Sequence, residues 1–204
     1  MKNQFVGNQI IKLNSVDSTN NYTAKLVNET NISFGTVIMA DFQTRGKGQR
    51  SSYWKSEKGL NLLISIYFDS SFLIFENVFY LSKAIALAIR ECVEKIIGTQ
   101  VLIKWPNDIL VNGSKISGVL IENQWKNEKL MSSIIGVGLN VNQVVFPGED
   151  NILSLNNLTS EVYNLNSILK SLCLCLDTQF SRLRNFDFFD IDCQYHSFLF
   201  NYNQ

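Results

Sequence analysis

Between residues 101 and 141 the chain writes out a series of strands. Residues 101–105 and 108–111 are rich in valine, isoleucine and leucine, and Asn112-Gly113 follows directly. Both residues of an Asn-Gly pair accept positive φ, which a two-residue hairpin requires, so residues 115–122 must return beside the preceding run. A further strand covers 130–141 and carries Gly136, Gly138 and Asn140 at its end. A sheet is thereby built into the middle of the chain, and the remaining elements must pack against it.

Those elements can be read on either side. Ser18, with Asp17 just before it, is a good N-cap for a short helix running to about Asn28. Gly35 opens a β-branched run over 36–40, and residues 60–68 form another strand. The segment between them, 43–59, reads as a long loop. In residues 75–97 Leu81, Ile85, Ile89, Cys92 and Ile96 fall on one helical face, with Lys83, Arg90 and Glu94 opposite, as expected of a helix laid on a sheet. After Pro147 the pattern turns to helices over 166–184 and 188–199. No repeat, linker or second-domain boundary is visible. The expectation is one α+β domain over 1–204: a mixed β-sheet with helices packed on one face and a loop-built site at one edge.

Composition narrows the functional classes. With 204 residues the chain can bury a sizeable core. Lys+Arg and Asp+Glu balance at 18 each, so no global field advertises nucleic acid or a membrane surface, and any nucleotide binding must be local. No stretch approaches the ~20 apolar residues that span a bilayer, and residues 1–5 lack an apolar signal core, so a cytoplasmic protein is expected. Cys92, Cys173, Cys175 and Cys193 show no CxxC spacing and read as reduced packing residues. His196 is the one histidine, which argues against histidine-rich metal sites and a Ser-His-Asp hydrolase. No metal-ligating residues are singled out.

Two segments carry chemistry. Residues 43–54 read Gln-Thr-Arg-Gly-Lys-Gly-Gln-Arg-Ser-Ser-Tyr-Trp. Gly46 and Gly48 leave backbone N–H groups open to phosphate oxygens, and Arg45, Lys47 and Arg50 add charge. The order is neither a P-loop nor a Rossmann fingerprint. A solvated basic loop is the plainer alternative, but Trp54 can stack on a base or wall off an apolar ligand. The second segment is Lys104-Trp105-Pro106-Asn107-Asp108. Proline restricts the chain and biases Trp105 toward extended geometry, so Lys104 is held at a strand end. A fixed ammonium beside a carboxylate and an α-phosphate is what adenylation needs, although a lysine snorkelling from a sheet edge has the same local pattern.

Together, in this order, the segments resemble the biotin protein ligase family, over residues 16–199. The resemblance implies the class II aminoacyl-tRNA synthetase / biotin synthetase fold. It implies biotin contacts from Ser18, Thr19, Asn20, Gln43, Lys47, Gly48, Gln49, Lys104, Gly118 and Gly136. It places ATP at Gly46, Arg50, Trp54, Asn107, Lys115 and Asn140, with Lys104 as the catalytic lysine. Lys115-Ile116-Ser117-Gly118-Val119 and Gly136-Val137-Gly138-Leu139-Asn140 are similar to the family's strands at the pocket. The implied reaction joins biotin to a lysine of a biotin carboxyl carrier protein, an acetyl-CoA carboxylase subunit, through biotinyl-5′-AMP, with ATP and Mg²⁺. A homodimer is permitted by an open sheet edge.

The sequence departs from the family's pattern in three ways. Lys47 and Gln49 stand where arginines are common, and Ser51 where a glycine usually follows. The usual C-terminal β-barrel is expected to be missing, as is an N-terminal helix-turn-helix. A lipoate ligase or octanoyltransferase of the same fold competes, but its Arg-Arg-x-x-Gly-Gly-Gly signature is not found. A non-catalytic biotin- or nucleotide-binding protein is the other alternative.

Overall fold

The computed structural model describes residues 5–49 and 52–201. Seven strands form one sheet: β1 (Ile10–Leu13), β2 (Val37–Ala40), β3 (Leu62–Asp69), β4 (Leu102–Lys104), β5 (Asp108–Val111), β6 (Ser114–Lys126) and β7 (Lys129–Leu139). Their order is β1-β2-β3-β7-β6-β5-β4, with β1 and β2 parallel and every other pair antiparallel. The mixed sheet expected from the sequence is therefore present. Asn112 and Gly113 take φ of 51° and 81°, and the hairpin turns where the sequence places it. A second two-residue turn at Asn127 and Glu128, again with positive φ, joins β6 to β7; β6 runs past its expected end at 122 to Lys126, while β7 stops at Leu139 rather than 141. The four-residue strand β1 was not foreseen.

Among the described residues there are five α-helices: α1 (Thr19–Glu29), α2 (Phe79–Ile97), α3 (Leu155–Thr159), α4 (Leu165–Arg184) and α5 (Phe188–Ser197). Residues Phe75–Asn77 form a separate 3-10 turn, so the expected helix over 75–97 starts late. The short α3 escaped the sequence reading, although Ser154 and Asn157 cap it reciprocally.

The long helices cover one face of the sheet. Leu62, Ile64, Ile66 and Phe68 of β3 and Ile135, Val137 and Leu139 of β7 join α2 and α4 in one core, where the Phe68 and Phe180 rings lie 4.2 Å apart. Lys83 and Arg90, expected on an open helix face, are only 9% exposed. Their face is covered by α5 and the segment after it. Lys83 pairs with Asp192 and lies over the Tyr80 ring, while Arg90 donates to the Val101 carbonyl and stacks on Phe198. That same segment binds the free side of β4: Ile103 N–H donates to Phe198 O and Phe200 N–H to Ile103 O, both at 2.8 Å. The β4 edge is thus occupied, and β1 is the opposite edge of the sheet.

α1 sits on the other face. Ser65, alternating with the core residues of β3, donates to Asn20 Oδ1 at 2.5 Å, and its hydroxyl lies 2.7 Å from Thr19 Oγ1. A Cβ on Gly136, beside Ser65 in the ladder, would lie 2.5 Å from Asn20 Oδ1. The missing side chain is what lets the helix come down onto the sheet.

Candidate active site

Two adjoining cavities open on the α1 face. The first, about 360 Å³, is lined by Ser18, Thr19, Asn20, Gln43, Lys47, Gly48, Gln49, Asn107, Gly118 and Gly136, among others. The second, about 650 Å³, is lined by Lys104, Lys115 and Asn140, with residues 146–152 on its outer side. Ser52, Tyr53, Trp54, Asp108 and Lys115 line both, and Trp54, Asp108 and Lys115 form the wall between them.

The polar end of the first cavity follows from the start of α1. Ser18 holds the N-cap position with extended backbone (φ −154°), yet its side chain makes no capping hydrogen bond. A cap normally contributes ~1 kcal/mol through that bond, so the hydroxyl is forgone here and left facing the cavity. Thr19 donates from both N–H and Oγ1 to Gln43 Oε1, at 2.7 and 3.0 Å. That fixes the Gln43 amide with its nitrogen as a spare donor. Asn21 donates to Asp17 at 2.6 Å and, with Arg45 as a further cause, holds the Asp17 carboxyl below the usual carboxylate range. Arg45 N–H meets the Asp17 carbonyl at 2.8 Å, so the cationic loop is pinned where α1 begins.

The loop itself is a small hairpin. Gly48 N–H donates to Ser52 O and Trp54 N–H to Gly46 O, at 2.8 and 2.9 Å. Gly46 lines neither cavity; a Cβ there would press on the Trp54 carbonyl at 2.5 Å, so its need for glycine is steric. Arg50 lies outside the described residues. Lys47 reaches Glu122 Oε1 of β6 at 3.1 Å, and Asn20 Nδ2 donates to Glu122 Oε2 at 2.7 Å. Glu122 and Ser65 had no motif to mark them, because their roles depend on contacts from distant segments.

Trp54 lies directly on Gly138, where any Cβ would overlap the indole, and also against Gly118. Lys115 Nζ stands 5.6 Å from the centre of its ring and 2.7 Å from Asp108 Oδ1. Among the described residues the Trp54 indole N–H is buried without a hydrogen-bond partner, as is Asn140 Oδ1, while Asn140 Nδ2 donates to Leu153 O at 3.1 Å. An unpaired buried polar atom costs about 1–3 kcal/mol, so two of them beside one cavity point to a polar occupant.

Lys104 ends β4 and lines the second cavity but not the first. Residues 105–107 turn sharply after it, with a cis bond between Trp105 and Pro106. Tyr195 of α5 donates its phenol to the Pro106 carbonyl at 2.9 Å. Asn107 lines the first cavity, not the second, and its amide nitrogen is committed to the Val119 carbonyl. Four lysines thus line the two cavities: Lys47 and Lys115 the first, Lys55, Lys104 and Lys115 the second. Lys47 and Lys115 face carboxylates, whereas Lys104 has no ion-pair partner among the described residues.

Residues 13–140 match the model of the biotin/lipoate A/B protein ligase family. The chain belongs to this family. The matched stretch contains every residue singled out from the sequence, from Ser18 to Asn140. The chain is 33% identical over 184 residues to the bifunctional ligase/repressor BirA of Bacillus spizizenii, covering 88% of this chain and 56% of that protein. It is 28% identical over 154 residues to a biotin--[acetyl-CoA-carboxylase] ligase of Mycobacterium tuberculosis, with 74% and 56% covered. The chain therefore spans about half the length of the curated relatives it matches. Its fold superposes on the biotin protein ligase from Aquifex aeolicus solved with biotin and ATP, with a TM-score of 0.81 and 30% identity over 94% of this chain and 78% of that one. The mixed sheet and its helices are those of the class II aminoacyl-tRNA synthetase / biotin synthetase fold.

Proposed function

We propose that this chain is a biotin protein ligase catalytic unit: it activates biotin with ATP and transfers it to a lysine of a biotin carboxyl carrier protein, an acetyl-CoA carboxylase subunit. The observation that carries the reading is the pair of cavities sharing one wall of Trp54, Lys115 and Asp108. Biotin belongs in the first, where Ser18, Thr19, Asn20 and Gln43 give directional hydrogen bonding and Lys47, Gly48 and Gln49 close the side. ATP belongs in the second, where the unpaired Trp54 N–H and Asn140 Oδ1 await a polar ligand.

In the first step a biotin carboxylate oxygen bonds to the α-phosphorus, and the bond to pyrophosphate breaks. Both reactants are anions, so a cation at the junction stabilises the developing charge. Lys104 suits that role because it is held at the end of β4 and makes no ion pair among the described residues. In the second step the neutral carrier lysine attacks the acyl carbon, AMP departs and the amine loses its proton. The protein's share is positioning and water exclusion. Among the described residues no three His, Cys, Asp or Glu side chains converge as a metal site. Mg²⁺ is accordingly expected to enter on the nucleotide, held by phosphate oxygens and water.

The described residues from Val6 to Tyr195 share one hydrophobic core, which supports a single catalytic domain. No described helix is long and apolar enough to cross a membrane, and all four cysteines are free, in keeping with a cytoplasmic setting. Balanced charge favours a protein acceptor over nucleic acid or a membrane surface. With the β4 edge occupied, a homodimer through sheet edges would use β1.

The test is pyrophosphate exchange into ATP. Exchange dependent on biotin, with labelled biotinyl-AMP on acid quench, is the expected result. Exchange driven equally by lipoate or octanoate, or none at all, would overturn the reading.

A further inference from the structure

Outside the groups assigned above, one carboxylate stands at the meeting point of three elements. Glu122 lies on β6, 41% of its side chain exposed. One oxygen receives Lys47 Nζ of the loop hairpin at 3.1 Å, the other Asn20 Nδ2 of α1 at 2.7 Å. Asn20 is 2% exposed, and its own oxygen accepts from Ser65 at 2.5 Å. A polar chain thus runs from the floor of the sheet, Ser65 to Asn20 to Glu122, and ends on the cation of the loop. Asn20 cannot flip its amide without losing a bond at both ends.

We propose that Glu122 is a positioning residue that sets ligand affinity: it fixes the Asn20 amide toward the first cavity and holds the Lys47 side of the hairpin against α1 before any ligand arrives. The proposal rests on the assignment of biotin to that cavity. Two functions sit on separate oxygens, so they respond differently to substitution. The pairing with Lys47 is half exposed and therefore depends on salt. The bond to Asn20 needs only an acceptor, which a glutamine side chain can supply. Preorganisation of this kind lowers the entropic cost of binding and leaves the chemical step alone.

The experiment compares wild type, Glu122→Gln and Glu122→Ala in two assays. The first is trypsin cleavage after Lys47 without ligand, at low and high ionic strength. Wild type should be cut faster as salt rises. Both variants should be cut about two- to fivefold faster than wild type at low salt, the usual range of a half-exposed ion pair, and should respond little to salt. The second is calorimetric binding of biotin, with adenylate formation at saturating ligand alongside. Affinity should fall in the order wild type, Glu122→Gln, Glu122→Ala, by about tenfold at the end of the series, with the saturated rate within about threefold. Identical cleavage and affinity in all three proteins would overturn the proposal. So would a loss confined to the saturated rate. If wild type binds no biotin, the functional assignment fails while the cleavage assay still tests the latch.

Discussion

At the scale of single residues, the site is organised by which charges already have partners. Lys47 leans on Glu122 and Lys115 on Asp108, while Lys104, cross-strand from Asp108, makes no ion pair among the described residues. An ammonium kept free at a strand end can respond fully when charge grows on a phosphoryl group. Lys104→Ala is therefore expected to lower the rate of biotinyl-AMP formation by about 10²–10³-fold. Its melting temperature should stay close to wild type, since the side chain is exposed and unpaired. Near-normal pyrophosphate exchange by the folded variant would remove Lys104 from the mechanism. Gly138 makes the complementary case, in which function depends on an absent side chain. A methyl group there would occupy the space of the Trp54 indole, which divides the two cavities. Gly138→Ala should displace Trp54, visible as a change in tryptophan emission, and weaken ATP and biotin binding by about tenfold or more. Unchanged emission and affinity would mean that the wall is softer than its packing implies.

At the scale of elements, local chemistry was legible wherever a few neighbouring residues settle a conformation. Asn112-Gly113 announced its hairpin, and the glycine-bearing loop and the Lys104 strand announced a site. The strand β1 did not, being four residues paired only with the distant β2 in parallel register. Lys83 and Arg90 looked solvent-facing because α2 alone cannot reveal that α5 will cover it. Glu122 stayed silent for the same reason, since Asn20 and Lys47 reach it from 102 and 75 positions away. Lys47, Gly48 and Gln49 lie in the loop hairpin beside the first cavity. The hairpin they begin has few backbone bonds of its own and crosses no hydrophobic core, so opening should be cheap. Saturating biotin plus ATP is expected to slow trypsin cleavage after Lys47 by at least about tenfold. Equal cleavage rates with and without both ligands would show that the loop does not respond to them.

At the scale of the whole molecule, the two sheet faces divide labour. One is sealed by α2, α4 and α5; the other carries α1, the loop and both cavities. Tyr195 links them, buried at 1% exposure on α5 and bonded to Pro106 beside the reactive turn. Burial pushes its phenol up to about 12. In the unfolded chain a tyrosine titrates near 10, so the unfolded state loses its proton first as pH rises. The stability tied to the neutral phenol is complete below about pH 10 and is lost progressively between about 10 and 12. Tyr195→Phe should cost about 1–2 kcal/mol near neutrality through the lost hydrogen bond, and the loss should shrink above pH 10. Denaturant titrations at pH 7, 10 and 11.5 measure this; a gap between the two proteins that widens with pH would contradict it.

The pairing of residues 198–200 with β4 also bears on how the protein comes into being. A ribosome delivers the seven strands, the lining of the first cavity and Lys104 long before the segment that braces Lys104 from outside and, through Phe200, lines the second cavity. Until then β4 is a bare, three-residue margin, and the Pro106 carbonyl has no Tyr195 to hold it. A nascent chain can accordingly assemble most of its fold while Lys104 still lacks a fixed seat. The seat of Lys104 is complete only once residues 198–200 have paired with the margin of the sheet.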